Sequence, residues 1–527
     1  MAIGDITFVK GQGGLGRPLS GQDFISGLVF YTGATFPSGW STASPVRALF
    51  SVSDAENAGI LPGFAAGSDA DANFADATAA TGTITVTAVG ATGDTVTIAS
   101  TEIPTLVNGI STPDVVSIGT YTITTADNGD STGDTLAASL ASFINSGTYQ
   151  HGYSAVVATN VVTYTCPRRL GAYVPVVAFT RTGTTFTATL VQPSGGKYSS
   201  KAIWHYHISE YFRLQPQGQL YVGFFAPPST YTFSEITTVQ TFSGGIIRQT
   251  AVLKDPGSSY NAGDLQLIHN EIVTNDDGNH MPMSALYAAD LSAVTDLSTL
   301  TNLNTLTANK ATAIISQDGG ALGAYLYAGT NKSITTLGAA LGAVSYAAVN
   351  ESIEWRGKFN ISNGYECDTP AFANGALVSS VAQNLLDDLD GMRYVFLIKN
   401  IGFAGSYFNG SHTATIVTSD YAYIENNRTI DKAIRGVYSS LLPALGAPIV
   451  LNSDGTFTDE SIAYFTSLAE LNLRAMVQAT ELSDFEVLIN STQNVLSTNT
   501  LVVAVELIPV GVARAITVNI GFVVALT

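Results

Sequence analysis

The run from Leu501 to Thr527 restricts the possible folds of this chain more than any other segment. LVVAVELIPVGVARAITVNIGFVVALT holds almost nothing but strand-forming residues. Ile516, Val518, Ile520 and Phe522 fall on one face, and Thr517, Asn519 and Gly521 on the other. That period of two is the β-strand pattern. A strand ending a chain is an open ladder unless something covers it, and an open apolar edge pairs with other chains. The start of the sequence is similar in kind: Ile6, Phe8 and Lys10 alternate with Thr7 and Val9, and lead into GQGGLG, Gly11 to Gly16. Two terminal runs of this sort describe a subunit that links itself to its neighbours, which puts assembly ahead of catalysis.

Composition supports the same direction. A chain of 527 residues accommodates three or four domains at roughly 150 residues each. It is 46% hydrophobic yet only 12% charged, against about 25% charged residues in ordinary soluble domains. A surface built on Ser, Thr, Gly and Ala suits a protein buried against copies of itself. The net charge of −19 argues against nucleic acid, which calls for a basic footprint. Membrane insertion is not expected, because Glu506, Pro509, Arg514 and Asn519 interrupt the last apolar stretch before ~20 residues accumulate. MAIGDITFVK lacks the basic start and apolar core of a secretory signal. Cys166 and Cys367 lie far apart, so neither a disulfide framework nor a zinc site is expected, and synthesis in a reducing compartment fits.

Three regions with different patterning follow. Between Gly67 and Ala80 the chain is a small-residue acidic linker, GSDADANFADATAA. Residues 78–198 then read as an inserted, mostly-β domain of Thr-rich strands with one good helix, Thr135 to Asn145, whose inward stripe is Leu136, Leu140 and Phe143/Ile144. WHYHISEYF, at the junction, reads as a strand. From there strands alternate with helices: LYVGFF, IIRQTAVL, ALYAAD and KATAIISQD are short apolar strands, and FSEITTVQTF, DLQLIHNEIV and Thr335 to Asn350 are helical. Such alternation predicts a mostly parallel sheet covered on both faces. In the last third, a helical stripe from Leu377 to Leu389 ends at Gly391 and YVFLI is a strand. Amphipathic helices are expected over Thr429 to Leu445, with Arg428, Lys432 and Arg435 on its solvent side, and over 458–480 with Thr458 as N-cap. The fold class is α+β multidomain: an α/β core with an inserted mostly-β domain and extended terminal β arms.

No constellation rises to a catalytic, metal or cofactor site. His205 and His207 would share a face of a strand, but no third ligand stands near beyond Glu210, and strand residues among aromatics is the better reading. GQGGLG lacks the ending of a phosphate loop and the βαβ frame, so Gly11, Gly13, Gly14 and Gly16 read as an arm hinge. Asp387, Asp388 and Asp390 precede Gly391 without the later ligands of a calcium loop, and mark a helix end. The three bases Arg428, Lys432 and Arg435 are a local exception in a chain with 22 Lys and Arg. They read as a solvated face, or as contact with an acidic partner.

The passages LGAALGAVSYAAVNESIEWRGKFN (Leu337 to Asn360), SDYAYIENNRTIDKAIRGVYSSLLPAL (Ser419 to Leu445) and QNVLSTNTLVVAVELIPVGVARAITVNIGF (Gln493 to Phe522) resemble, in order and combined extent, the contractile tail sheath proteins of phages and related injection systems. The resemblance implies stacked hexameric rings of this chain around an inner tail tube protein, capped by baseplate and tail terminator proteins, in a virion tail or an extracellular injection device, with no cofactor. It implies an N-terminal arm over 1–20 carrying Ile6 and Phe8, and a sheath core over 21–77 and 199–350. The 78–198 domain would project outward, an inner α/β domain would span 351–510, and a C-terminal arm over 511–527 would carry Ile516, Val518, Ile520 and Phe522. Arms of this kind add strands to a neighbour's sheet. The inner position makes Arg428, Lys432 and Arg435 candidate tube contacts. A surface adhesin or S-layer-like β protein, and a non-contractile virion protein, are the alternatives.

Overall fold

In the computed structural model of the chain, residues 22–62, 77–102, 114–171, 174–197, 199–255, 258–330, 332–518, 520 and 522 are described. Ile6, Phe8, Gly11, Gly13, Gly14 and Gly16 lie outside them.

The centre is a six-stranded sheet in the order Ala311–Ala313, Ser284–Ala288, Gln249–Leu253, Ile25–Tyr31, Gln219–Phe225, Val46–Leu49. Every pair is parallel except the last, where Val46–Leu49 runs antiparallel along the edge. All seven residues of Ile25–Tyr31 are buried, because helices cover both faces. Alternation divides them: Leu28 and Phe30 belong to one apolar core with Trp204, Tyr211, Phe224 and Leu341. Val29 and Tyr31 belong to a second, with Ile236, Ile268, Ile272 and Tyr287. Four of the six strands lie in runs expected from sequence, and Ile25–Tyr31 and Val46–Leu49 lie where no particular strand is expected; KATAIISQD divides: Ala311–Ala313 joins the sheet, while Ser316–Asp318 pairs antiparallel with Pro370–Phe372.

One face is covered by the helices Ser200–Leu214 and Leu337–Tyr346, which approach very closely. A Cβ on Gly338 would sit 2.2 Å from the His207 carbonyl oxygen, and one on Gly342 2.7 Å from that of Tyr211. The small residues of LGAALGAV are what let these backbones meet. The expected strand WHYHISEYF is thus a helix. Its aromatic and apolar residues are buried nearly all round, from Ala202 to Phe212, so no period of 3.6 survives to be read. The Ser199 hydroxyl accepts from the Lys201 N–H at its start.

Residues 77–197 form two antiparallel sheets, four-stranded and three-stranded. The helix Asp134–Ser146 lies against them with Leu136, Leu140 and Ile144 inward. Their apolar core runs from Ala80 to Phe186 and, among the described residues, takes in none from elsewhere.

In the last third the helix Ile424–Leu441 begins ahead of its expected start at Thr429, and Asp459–Gln478 follows with the Thr458 hydroxyl accepting from the Ser461 N–H. The stripe from Leu377 resolves into a single turn at Val378–Ser380 and the helix Gln383–Gly391. YVFLI becomes a strand only at Leu397–Asn400, since Val395 is engaged by a bridge to Ile314.

Candidate functional site

The strand Leu482–Leu488 pairs antiparallel with Ala504–Pro509, setting Phe485 opposite Leu507 and Val487 opposite Val505. Those four side chains pack toward Ala433 of the Ile424–Leu441 helix and Leu473 and Met476 of the Asp459–Gln478 helix. Asp484, Glu486, Glu506 and Ile508 face out. The ribbon has only these two strands among the described residues. Both of its outer edges therefore present unpaired N–H and C=O groups, in an arrangement that is marginal without further strands or packing.

Beyond Pro509 the chain is exposed from Gly511 to Val518 and joins no ladder among the described residues. Ile516 is 81% and Phe522 110% exposed, and Val518 and Ile520 are comparably open. Four large apolar side chains at alternate positions thus stand in solvent. The sequence expects a strand here, and among the described residues no partner strand is paired with it; a ladder takes two.

Arg428, Lys432 and Arg435 do not lie on a solvent face, which corrects the expectation from the helical stripe. Arg428 is 4% exposed and donates to the carbonyls of Ala347 and Ala348 at 3.1 Å, closing the C-terminus of the Leu337–Tyr346 helix. Lys432 Nζ lies 2.7 Å from both Asp23 Oδ2 and Glu481 Oε1, and Arg435 lies 3.2 Å from Asp23 Oδ1. Burial works to raise the Asp23 carboxyl, but Lys432, Arg428 and Arg435 outweigh it and hold it below the usual carboxylate range. Burial also lowers both arginines. The outward side of the same helix carries Ile434 and Tyr438 instead. These bases are consumed in tying the entry of the first strand to the C-terminal helices, and as free tube contacts they have no support.

The same helix carries an opposite-sign counterpart that the sequence reading missed. Arg514 donates to Glu354 and Glu425, and its guanidinium carbon stands 3.5 Å from the centroid of the Tyr423 ring. The signal in the sequence was the charge itself, one arginine within an apolar run.

His205 and His207 fall two apart on a helix, so their rings diverge. His205 Nε2 lies 3.0 Å from Glu56, while His207 is fully buried beside Phe30 and Tyr206. Burial pushes His207 down to about 3. No group of three or more His, Cys, Asp or Glu able to hold a metal occurs among the described residues. Asp390, near the end of the Gln383–Gly391 helix, accepts from Asn409 at 2.7 Å and contacts His412 at 2.9 Å. A cleft of about 280 Å³ at the carboxyl ends of Ile25–Tyr31 and Gln249–Leu253 is lined by Phe30, Thr32, Ser200, Trp204, Leu253 and Asp255; among the described residues no histidine, cysteine or lysine lines it. No helix among the described residues is long and apolar enough to cross a membrane.

A family model described as DUF2586, C-terminal domain, matches residues 420–527, which take in the charged helix, the ribbon and the exposed segment. No curated protein matches the chain. Among solved structures, a chain of the anti-feeding prophage (AFP) baseplate is similar at 13% identity and a TM-score of 0.42, covering 60% of this chain and 80% of that one. A chain of the AFP helical sheath in its contracted state is similar at 13% identity and a TM-score of 0.43, covering 60% of this chain and 81% of that one.

Proposed function

We propose that this chain is the structural subunit of a contractile sheath, polymerising through strands exchanged between copies. One observation carries the reading: among the described residues, a two-stranded ribbon with no third strand leads into an exposed, alternating apolar segment of the same chain. An open edge and an unladdered strand are the two halves of β-augmentation, in which main-chain hydrogen bonds supply affinity and alternate side chains supply register. Within the described part of one chain the two do not satisfy each other. Copies in a ring or helix can, each lending Ile516, Val518, Ile520 and Phe522 to the next.

On this reading the rings are hexameric and stack around an inner tube, the 78–198 domain faces outward, and the 351–510 part lies inward. Ile6 and Phe8 form a second arm, with Gly11 to Gly16 as its hinge. Firing needs no nucleotide, only release of a higher-energy packing by a baseplate. The test is electron microscopy of the purified chain at high concentration, beside a chain lacking 512–527. The full chain forms hollow six-fold cylinders, and the truncated one remains folded by circular dichroism without forming them. Cylinders from the truncated chain would refute strand exchange through this segment.

A further inference from the structure

Glu354 and Glu425 belong to distant parts of the chain, yet both offer carboxylates to one guanidinium. Glu425 is 2% exposed, and its Oε2 has no hydrogen-bond partner among the described residues. Glu354 is buried as well. Burial first, and then Glu425, raise its carboxyl, while Arg514, Arg356 and His412 act in the other direction. Two desolvated carboxylates held together repel unless a cation sits between them. Tyr423 supplies a ring as floor, and Arg393 also approaches that ring at 4.8 Å. The geometry is a fork that meets two acceptors while its plane lies near an aromatic ring. An arginine satisfies that combination, and the point charge of a lysine does not.

We infer that Glu354, Glu425 and Tyr423 form an arginine socket whose occupant is Arg514, and that it anchors the C-terminal segment to the body of its own subunit. From Gly511 to Ala513 the chain is exposed, so the socket is what fixes where the segment departs. The apolar run begins two residues further on, at Ile516, with its origin set by the body rather than by the hairpin turn. The use of that run in assembly rests on the sheath reading. The socket itself does not, and is tested on the unassembled chain.

Trypsin cuts after arginine only when the side chain enters the protease, so a socketed Arg514 is protected in proportion to how seldom it leaves. Full-length protein and the variants Glu354→Gln, Glu425→Gln and Arg514→Lys are digested under native conditions and followed by intact mass. Cleavage after residue 514 is compared with cleavage after Arg474, which reports opening of the Asp459–Gln478 helix. Each variant is expected to be cut after 514 about tenfold faster than the parent, with the Arg474 rate unchanged. The Arg514→Lys result separates a guanidinium socket from a generic cation site. Should buried Glu425 not tolerate replacement, Glu354→Gln and Arg514→Lys carry the test. Rates at 514 within about twofold of the parent, or an equal rise at Arg474, overturn the socket. Failure here leaves the truncation result untouched, and the reverse holds too.

Discussion

Replacing Asp23 by Asn isolates the charged tie between the first strand and the C-terminal helices. The Asp23 carboxylate takes Lys432 at 2.7 Å and Arg435 at 3.2 Å, with side-chain exposures of 20%, 21% and 15% for the three. Charge-assisted hydrogen bonds contribute about 1.5–3 kcal/mol each, and stripping one partner from a fully buried pair costs about 3–5 kcal/mol. Here Lys432 keeps Glu481 and solvent reaches the edges, so the loss should be about 2–3 kcal/mol. The readout is hydrogen exchange of the Ile424–Leu441 amides in full-length protein, which measures local opening without assuming that a multidomain chain unfolds in one step. Asp23→Asn, Lys432→Met and their double variant complete a cycle, with an expected coupling of about 1 kcal/mol or more. The sign with pH follows from the depressed carboxyl: its contribution is present above the ordinary value of 3.8 and is lost as pH falls through the lower folded value. The variant and parent should therefore converge in acid. Salt discriminates most sharply, since a surface pair fades between about 0.05 and 0.5 M and a buried one largely persists. A loss under about 0.5 kcal/mol, or one erased by salt, is the size of a solvated ion pair and would refute the tie.

Two further outcomes test the packing. Gly338→Ala places a Cβ 2.2 Å from the His207 carbonyl oxygen, and should cost about 3 kcal/mol or more in denaturant melts by forcing two helices apart. Gly278→Ala, in the Gly263–Asn279 helix with nothing within 4 Å, should stabilise by about 0.5–1 kcal/mol. Equal effects would mean that the close helix contact is absent. His207 is held neutral by burial, with its folded value near 3 against 6.5 unfolded, so the unfolded chain takes up the extra proton. Stability should fall as pH drops below about 6.5 and go on falling toward 3. His207→Leu should lessen that slope in acid melts; an unchanged slope would show that His207 is not buried uncharged.

Much of the central sheet is readable in the sequence because its strands are buried on both faces, and an unbroken apolar run bounded by turns is what such a strand requires. The helix Ser200–Leu214 is not readable, for the same physical reason. Buried all round, it offers no polar side to mark its period. The helix Ile424–Leu441 teaches the opposite lesson. Its amphipathicity is visible, but periodicity does not say which face turns inward. The charged face turns inward here because Asp23, Glu481 and Arg514 supply counter-charges from far away in the sequence, leaving Ile434 and Tyr438 outside. The alternation of Ile516 to Phe522 is legible, yet a strand is a relation between two segments, and one sequence holds only one of them.

The Arg514 socket and the Asp23 tie sit on a single rod. Glu425, holding Arg514, and Lys432 and Arg435, holding Asp23, lie along the Ile424–Leu441 helix, at most ten residues or roughly 15 Å apart. A pull on the chain leaving Asp23 and a pull on the chain leaving Arg514 therefore meet across a few turns of one helix. Neither tie draws on the two sheets of residues 77–197. Any displacement of that one helix therefore moves both departure points together.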